Sequence, residues 1–149
     1  MNVVTLRAYQ PGDFDAMYAI DVECFAPAFR FSRRAMRDSA EAKGAITVIA
    51  EGAGELLGFC VVQMDRQLGY VVTLDVVAAW QRRGLARQLM QDAEVQVRAA
   101  GGTGMGLHVH TGNVGAIRFY EATGYERAGT VEGFYGKGMD AWVYRKRFN

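Results

Sequence analysis

The spacing of hydrophobic residues changes period repeatedly along the chain, which is typical of alternating strands and helices. Apolar and polar residues alternate over residues 2–9, NVVTLRAY, and predict a first strand. Asp13 and Ser32 are each placed to cap a following helix. The first of these helices has apolar residues at helical spacing, at Phe14, Met17, Ile20 and Cys24. The N-terminal part of the chain is therefore predicted to fold as a strand followed by two helices.

Three apolar segments in the middle of the chain predict neighbouring strands. AITVIAE (45–51) and LLGFCVVQM (56–64) flank the glycine-rich turn GAGE, which is typical of a β-hairpin. LGYVVTLDVV (68–77) is almost wholly apolar, as expected for a central strand that is covered on both faces. We therefore expect these segments to form the centre of one sheet.

The second half of the chain continues the alternation. Apolar residues return to helical spacing after Gly84, and Asn113 and Gly124 are placed to begin and end a further helix. The remaining strands are predicted over about 106–110, 125–131 and 140–148. The pattern predicts a single α/β domain over residues 1–149, with about seven strands and about four helices.

Composition narrows the classes of function. The chain has 149 residues, 50% of them hydrophobic, and a formal net charge of +1. This balance gives no overall attraction to nucleic acid or to an anionic membrane, so any anion site must be local. Cys24 and Cys60 lack CxxC spacing and are typical of free thiols in a reducing compartment. With no apolar run of signal-peptide or membrane-span length, we expect a cytoplasmic protein.

One segment concentrates positive charge where a helix disfavours it. Arg82, Arg83 and Arg87 lie around the start of the helix that follows the central strand. Each cation at a helix N-terminus is disfavoured by about 0.3–1 kcal/mol, so three of them indicate a compensating anion. The free backbone N–H groups there, with Gly84 allowing close approach, suit a pyrophosphate. A solvated surface turn is the alternative interpretation.

Other phosphate-binding and hydrolytic motifs do not fit the sequence. The Gly136–Lys137 pair is followed by glycine, which excludes a P-loop. GGTGMG (101–106) precedes a strand and not a helix, so it is predicted to be a loop and not a dinucleotide fingerprint. Ser32 and Ser39 are the only serines and neither lies in a GxSxG motif, which argues against a serine hydrolase.

Two motifs resemble those of the GNAT superfamily of acyl-CoA-dependent N-acyltransferases. QRRGLA (81–86) is similar to the family's [QR]-x-x-G-x-[GA] signature, and NVGAIRFYEATGYE (113–126) is similar to its N-x-x-A-x-x-[FL]-Y-x-x-x-G-F stretch. The two occur at the expected separation, and the order of elements agrees over nearly the whole chain. LHVHTGNVGAIRFY and GFYGKGMDAWVYRKRF resemble the RimI-like and NatE-type protein N-terminal acetyltransferases within that superfamily.

This resemblance implies a mixed, mostly antiparallel sheet, splayed after its fourth strand, and an acetyl-CoA-dependent N-acetyltransferase activity without a metal. By the family's pattern, the pantetheine arm binds at the splay, the backbone N–H of Val76 polarises the thioester carbonyl, and residues 82–87 hold the pyrophosphate. The implied cofactor-binding residues are Val76, Val77, Arg82, Arg83, Gly84, Leu85, Ala86, Arg87, Asn113 and Tyr120.

Three residues are candidates for proton transfer during acylation of an amine. Tyr120 resembles the family's general acid, which protonates the departing thiolate; the alternative is a core tyrosine with its hydroxyl bonded to backbone. His108, with an ordinary pKa of about 6.5, is predicted to be the base, directly or through water. Tyr70 occupies the position of a tyrosine that NatE-type enzymes pair with this histidine. Whether His108 or a water chain with Tyr70 is the base stays open.

His110 lies on the same strand face as His108 and raises the alternative of an HxH metal site. No third ligand is fixed by spacing. A solvated or core histidine is the favoured interpretation, and we expect no metal.

Four aromatic residues are predicted to line a slot for the acceptor, most simply the α-amino group of a protein or peptide N-terminus: Phe25, Phe29, Phe134 and Tyr135. Ordinary core packing explains them equally well. A small-molecule amine, such as an antibiotic or polyamine, would instead require a deep acidic pocket. A non-catalytic acyl-CoA-binding module is the remaining alternative.

Overall fold

The structure, a computed structural model that describes residues 3–149, contains the seven strands and four helices that the sequence pattern predicts. The strands are β1 (Thr5–Ala8), β2 (Ile46–Gly52), β3 (Glu55–Asp65), β4 (Leu68–Val76), β5 (Gly104–His110), β6 (Glu126–Gly136) and β7 (Met139–Arg147). The helices are α1 (Phe14–Cys24), α2 (Arg33–Glu41), α3 (Leu85–Ala99) and α4 (Val114–Ala122). Short 3₁₀ turns lie at Pro11–Asp13, Pro27–Phe29 and Ala78–Trp80.

The helices cover both faces of one sheet, whose strand order is β1-β2-β3-β4-β5-β7-β6. On one face, Phe14 and Met17 of α1 and Met36 of α2 are buried against β2 and β3. On the other, α3 buries the apolar residues that recur at helical spacing, Leu85, Leu89, Ala93 and Val97. The chain thus forms three layers, with the sheet in the middle and helices on each face. No helix within residues 3–149 combines the length and apolar character needed to cross a bilayer.

Most of the predicted helix boundaries are confirmed by hydrogen bonds. The Ser32 hydroxyl accepts the Ala35 N–H at 3.0 Å, and Asn113 Oδ1 accepts the Ala116 N–H at 3.2 Å. Asp13 occupies the N-cap position of α1 as predicted, but its side chain makes no capping bond to the helix. Its carboxylate is instead held by the Arg7 guanidinium in two 2.8 Å bonds, because a charge-assisted bidentate pair is stronger than a cap.

The second half of the sheet differs in extent from the prediction. β5 begins at Gly104, so the prediction of a loop through residue 106 was wrong for its last residues. Glycine is required there because a Cβ at Gly104 would lie 2.5 Å from the Lys146 carbonyl oxygen of the paired strand β7. β6 continues to Gly136 instead of ending near residue 131. β1 is confirmed over Thr5–Ala8, whereas residue 2 of the predicted segment lies outside the described residues.

The sheet splays between β4 and β5, as the family resemblance implies. These two strands form its one parallel pair among residues 3–149, and they are in register only at Leu68–Gly104, Gly69–Met105 and Tyr70–Gly106. Beyond these pairs the strands separate, whereas β5 continues to pair with β7 as far as His110. The separation leaves a gap in the middle of the sheet, lined on one side by the second half of β4.

Candidate active site

The splay opens into a cleft of about 1090 Å³, at the upper end of the size range of small-ligand sites. Residues of β4, β5, α4, the start of α3 and the segment 24–31 surround it. Most of the sequence-predicted site residues line it together: Tyr70, Val76, Arg82, Gly84, Ala86, Arg87, His108, Asn113, Tyr120, Phe25, Phe29, Phe134 and Tyr135.

Three of the predicted cofactor-binding residues do not line the cleft. The Leu85 side chain is buried in the core, with 3% of its surface exposed. The Val77 N–H donates to the Leu57 carbonyl oxygen at 2.9 Å and so belongs to the sheet. The Arg83 guanidinium lies over the Trp80 ring, 4.0 Å from its centroid. These three residues therefore contribute to the core, the sheet and the packing of Trp80, and not to the surface of the cleft.

The turn before α3 has the backbone geometry of an anion site. Arg82 has a φ of +62° and Gly84 a φ of +85°, and a non-glycine residue in this left-handed region costs of order 1–3 kcal/mol. A turn of this kind directs successive N–H groups towards one point. A Cβ added at Gly84 would meet no atom within 4 Å, so the space in front of the helix start is open. The residues present therefore fit a bound pyrophosphate.

The charge around this turn is uncompensated within the chain. No carboxylate of residues 3–149 forms a salt bridge with Arg82, Arg83 or Arg87. The first turn of α3 also contains no acidic residue that would offset the positive end of the helix dipole. The arginines and the N-terminal end of α3 are thus suited to bind an anionic ligand.

The last residue of β4 presents its backbone to the gap. Since the Val77 N–H bonds to Leu57 of β3, the alternation of an antiparallel ladder directs the Val76 N–H and carbonyl to the opposite edge of β4. The Val76 carbonyl confirms this orientation, because it accepts the Gln81 side-chain N–H at 3.0 Å and the Cys24 thiol at 3.2 Å. The Val76 N–H therefore faces the gap, where a carbonyl oxygen can accept it.

Tyr120 lies at the cleft with its hydroxyl unused. The residue is 9% exposed, and its ring packs edge-on against Phe119 and Tyr125. Its hydroxyl forms no hydrogen bond with any described residue, which counts against the alternative of a core tyrosine bonded to backbone. Burial, followed by the negative charges nearby, raises the pKa of Tyr120 well above its ordinary value. Tyr120 consequently keeps its proton at physiological pH and has it available to donate.

Tyr70 and His108 form a hydrogen-bonded pair across the splay. The Tyr70 hydroxyl lies 2.8 Å from His108 Nδ1. Burial, with a smaller contribution from Arg145, lowers the pKa of His108, so the ring is neutral at pH 7. Burial also raises the pKa of Tyr70. In either neutral tautomer one atom of the pair is left to accept a proton, Nε2 of the histidine or the oxygen of the tyrosine.

Five rings form a continuous wall on the acceptor side of the cleft. His108 stacks on Phe134 at 4.2 Å between centroids, and Phe134 packs edge-on against Tyr135 at 4.9 Å. Tyr135 packs against Phe29 at 5.1 Å, and Phe29 lies 4.7 Å from His110. We call these residues the aromatic wall. His110 is part of it, and residues 3–149 contain no group of three side chains that could hold a metal ion.

The cleft is free of negative side chains. Its charged or titratable lining consists of arginines, histidines, tyrosines and Cys24, with Arg30 on the acceptor side, and no aspartate or glutamate among the described residues contributes to it. A polycationic amine would find no carboxylate to pair with here. The aromatic wall and the absence of acidic lining residues instead suit a neutral or apolar group beside the reacting amine.

Sequence reasoning assigned no role to three residues that the structure places at the site. Gln81 and Cys24 both bond to the Val76 carbonyl and thereby fix the end of β4. Trp80 lines the cleft and supports Arg83. Gln81 is part of the QRRGLA motif and was detectable from it, whereas Cys24 and Trp80 lie in segments with no motif.

Residues 14–125 match the Acetyltransferase (GNAT) family. The chain belongs to this family, and with it to the acetyl-CoA-dependent acetyltransferases. The cleft fits that cofactor at the helix start and at the gap in the sheet. No curated protein sequence that was compared with the chain matches it.

Three solved structures share the fold over nearly their whole length. The ribosomal-protein-S18-alanine N-acetyltransferase of Escherichia coli is similar over 99% of this chain and 95% of its own, with a TM-score of 0.89 and 21% identity. Ard1 of Thermoplasma volcanium is similar over 98% of both chains, with a TM-score of 0.87 and 21% identity. NAA60 of Arabidopsis thaliana with a bisubstrate analogue is similar over 99% of both chains, with a TM-score of 0.82 and 23% identity.

Proposed function

We propose that this chain transfers an acetyl group from acetyl-CoA to the α-amino group of a protein or peptide N-terminus. The observation that carries the proposal is the composition of the acceptor side, where an aromatic wall lines an open cleft that has no carboxylate among the described residues. A small polycationic amine would require acidic side chains in the lining of the cleft. The similarity to the ribosomal-protein-S18-alanine N-acetyltransferase, which acts on an alanine of a protein, supports a protein acceptor. Both cysteines are free thiols, and we place the reaction in the cytoplasm.

The cofactor side of the cleft provides binding and electrostatic stabilisation. When bound, acetyl-CoA supplies the thioester carbonyl that the amine attacks and the thiolate that leaves. The turn 82–87, with Arg82 and Arg87, holds the pyrophosphate, and Asn113 and the second half of β4 bind along the arm. The Val76 N–H donates to the carbonyl oxygen as negative charge develops on it, which is the largest catalytic contribution expected of a fixed backbone donor.

Two proton transfers complete the reaction. The Tyr70–His108 pair takes the proton that the ammonium must lose before its nitrogen can form the new C–N bond. Tyr120 donates its hydroxyl proton to the sulfur as the C–S bond breaks. The three residues all line the cleft, so a base and an acid are available within the same cleft.

Acetylation of peptide arrays tests the acceptor class. Purified protein and acetyl-CoA are incubated with peptides that present every residue at the first two positions, and products are identified by mass spectrometry. We expect a mass increase of one acetyl group on the α-amine, with a preference for peptides whose first residues are uncharged or apolar. N-terminally blocked copies of the same peptides, which retain any internal lysine, serve as the matched control.

Two outcomes would overturn the proposal. Acetylation of spermidine or an aminoglycoside, with no product on any free peptide N-terminus, would favour the small-amine alternative. Binding of CoA in a titration without transfer to peptides or small amines would favour a non-catalytic module.

A further inference from the structure

Two buried carboxyl groups lie between α1 and the end of β4, outside the reaction described above. Asp21 of α1 is 0% exposed and Asp75 of β4 is 1% exposed, and the 3.2 Å bond from the Cys24 thiol to the Val76 carbonyl holds this end of α1 beside the end of β4. Neither residue lines the cleft, so neither can take a proton from the acceptor. Both nevertheless lie next to elements that form the site.

Each carboxyl uses one oxygen to hold a different element. Asp21 Oδ2 accepts the Phe31 N–H at 3.2 Å, and Phe31 ends the segment 24–31 that lines the acceptor side of the cleft. Asp75 Oδ1 accepts the Thr73 hydroxyl. Asp75 also directly precedes Val76, whose N–H faces the gap. The pair therefore connects the acceptor segment to the strand that polarises the carbonyl.

The two remaining oxygens have no hydrogen-bond partner among the described residues. Asp21 Oδ1 and Asp75 Oδ2 are fully buried, and no donor of the described residues reaches either one. No arginine or lysine of residues 3–149 forms a salt bridge with either carboxyl. Two buried carboxylates without a cation cannot both be ionised, because desolvation and mutual repulsion both oppose it.

The titratable groups near enough to Asp75 to be affected by its charge supply no positive charge. They are the Cys24 thiol on α1, the Cys60 thiol on β3 and the Tyr120 phenol on α4. Burial, with the charge of Asp75 as the next cause, raises the pKa of both thiols, and the nearby charges add to the effect of burial on Tyr120. All three are therefore neutral at pH 7 and cannot compensate a second negative charge.

We propose that Asp21 and Asp75 share one proton and that the shared proton anchors the acceptor segment 24–31 to β4. The proton lies between Asp21 Oδ1 and Asp75 Oδ2, and the pair carries a single negative charge. Asp21 and Asp75 are positioning residues, because they act through Phe31 and Val76 and touch no reactant. The number of protons bound by the Asp21–Asp75 pair does not depend on the proposed function. The consequence of this anchoring for binding of the peptide acceptor does rest on that function.

The sharing of a proton predicts a specific dependence of stability on pH. Burial is the main cause that raises the pKa of Asp75 well above its ordinary value, followed by the hydrogen bond to Asp21. The folded protein then binds a proton that the unfolded chain releases above pH of about 3.9. Stability consequently falls as pH rises from that value through the raised pKa, by up to about tenfold in the folding equilibrium constant per pH unit.

Asparagine variants provide the test, since a side-chain amide mimics a carboxyl that never loses its proton. In Asp75→Asn the amide N–H₂ donates to Asp21 Oδ1 and the amide oxygen still accepts the Thr73 hydroxyl. Denaturant unfolding is measured from pH 5 to pH 9 for the wild type, Asp75→Asn and the control Asp38→Asn, which removes a carboxylate that is 73% exposed. We expect the wild type and Asp38→Asn to lose stability with rising pH relative to Asp75→Asn.

Hydrogen exchange of residues 25–32, followed by mass spectrometry, tests the anchoring directly. Asp21→Ala removes the acceptor of the Phe31 N–H and is expected to speed exchange of this segment by about tenfold or more, whereas Asp21→Asn retains an acceptor oxygen and restores the protection. Titration with CoA shows that each variant is folded. If Asp21→Ala does not fold, the comparison of Asp75→Asn with the wild type still decides the proton count.

Equal pH dependence in the wild type and Asp75→Asn would overturn the shared proton, and unchanged exchange in Asp21→Ala would overturn the anchoring. Neither measurement requires a peptide or amine substrate. A failure of the proposed function, seen as absent peptide acetylation, would therefore be distinguishable from a failure of this inference.

Discussion

The two sides of the cleft recognise their ligands with different parts of the chain. The cofactor side consists largely of backbone groups, namely the turn 82–87, the start of α3 and the exposed edge of β4. The acceptor side consists of side chains, the five rings of the aromatic wall and the segment 24–31. Backbone groups bind a ligand whose chemistry is constant, whereas side chains can change with the acceptor without altering the fold.

The two sides also differ in how the sequence encodes them. Most of the cofactor side is contiguous along the chain, because β4, the following turn and α3 supply it, and only Asn113 and Tyr120 come from α4 and its cap. The aromatic wall combines Phe29 before α2 with residues of β5 and of the β6–β7 hairpin. Variants that affect one side and spare the other therefore test whether the division is real.

The largest effect is expected at Gly84. Gly84→Glu places a side chain and a negative charge in the open space where the backbone N–H groups converge, and we expect it to abolish CoA binding in a calorimetric titration. Gly84→Ala imposes the same unfavourable φ of +85° without the charge and should weaken binding less. Phe134→Ala, on the opposite side, should leave CoA affinity unchanged. Undiminished affinity in Gly84→Glu would remove the anion site.

Tyr120→Phe is expected to have the next largest effect. The variant keeps the ring and its packing but deletes the donor, so turnover should fall by roughly 10²–10⁴-fold while CoA affinity changes little. Steady-state kinetics and a CoA titration on the same preparation separate these quantities. Turnover at the wild-type level would show that water protonates the thiolate and that Tyr120 only fills the core.

Most of the fold follows from local pattern, and the exceptions have physical causes. The buried positions of α3 were predictable because a single apolar face packs on the sheet. The start of β5 was missed because glycine is usually a loop residue, whereas Gly104 is selected by close contact with Lys146. β6 was predicted too short because it is an edge strand with most residues exposed, which leaves no alternation to detect.

The residues of the candidate site were likewise predictable from local pattern only in part. The helix start was predictable from charge and glycine placement within a few residues. Asp21 and Asp75 were not, because both lie in apolar segments and an isolated aspartate there is ordinarily interpreted as exposed. The structure buries both, and their pairing depends on the packing of α1 against β4, a contact between distant parts of the chain. No local pattern contains that information.

The smallest and most informative effect is expected in the pH dependence of kcat/KM, where both sides of the cleft contribute. If the Tyr70–His108 pair accepts the amine proton, activity should rise with pH through an ionisation of the free enzyme. Because burial lowers the pKa of His108, this limb should lie below the ordinary histidine value of about 6.5. The α-amino group of the substrate titrates near 7.7–8.0 and adds a second limb.

The two limbs can be separated by measuring one peptide with the wild type, His108→Ala and Tyr70→Phe, since the ionisation of the substrate is common to all three. The lower limb should disappear in His108→Ala, with a loss of roughly tenfold or more in kcat/KM near neutral pH. In Tyr70→Phe the hydrogen-bond partner of His108 Nδ1 is lost but the imidazole remains. If the histidine is the terminal proton acceptor, the limb should shift in pH but persist. If the tyrosine oxygen must relay the proton, the limb should disappear. His108→Glu should restore a limb at lower pH, because a carboxylate with an ordinary pKa of about 4.3 replaces the imidazole. An acid limb identical in all four proteins, with little loss of rate, would show that the amine arrives already neutral and that His108 serves only as a ring of the aromatic wall.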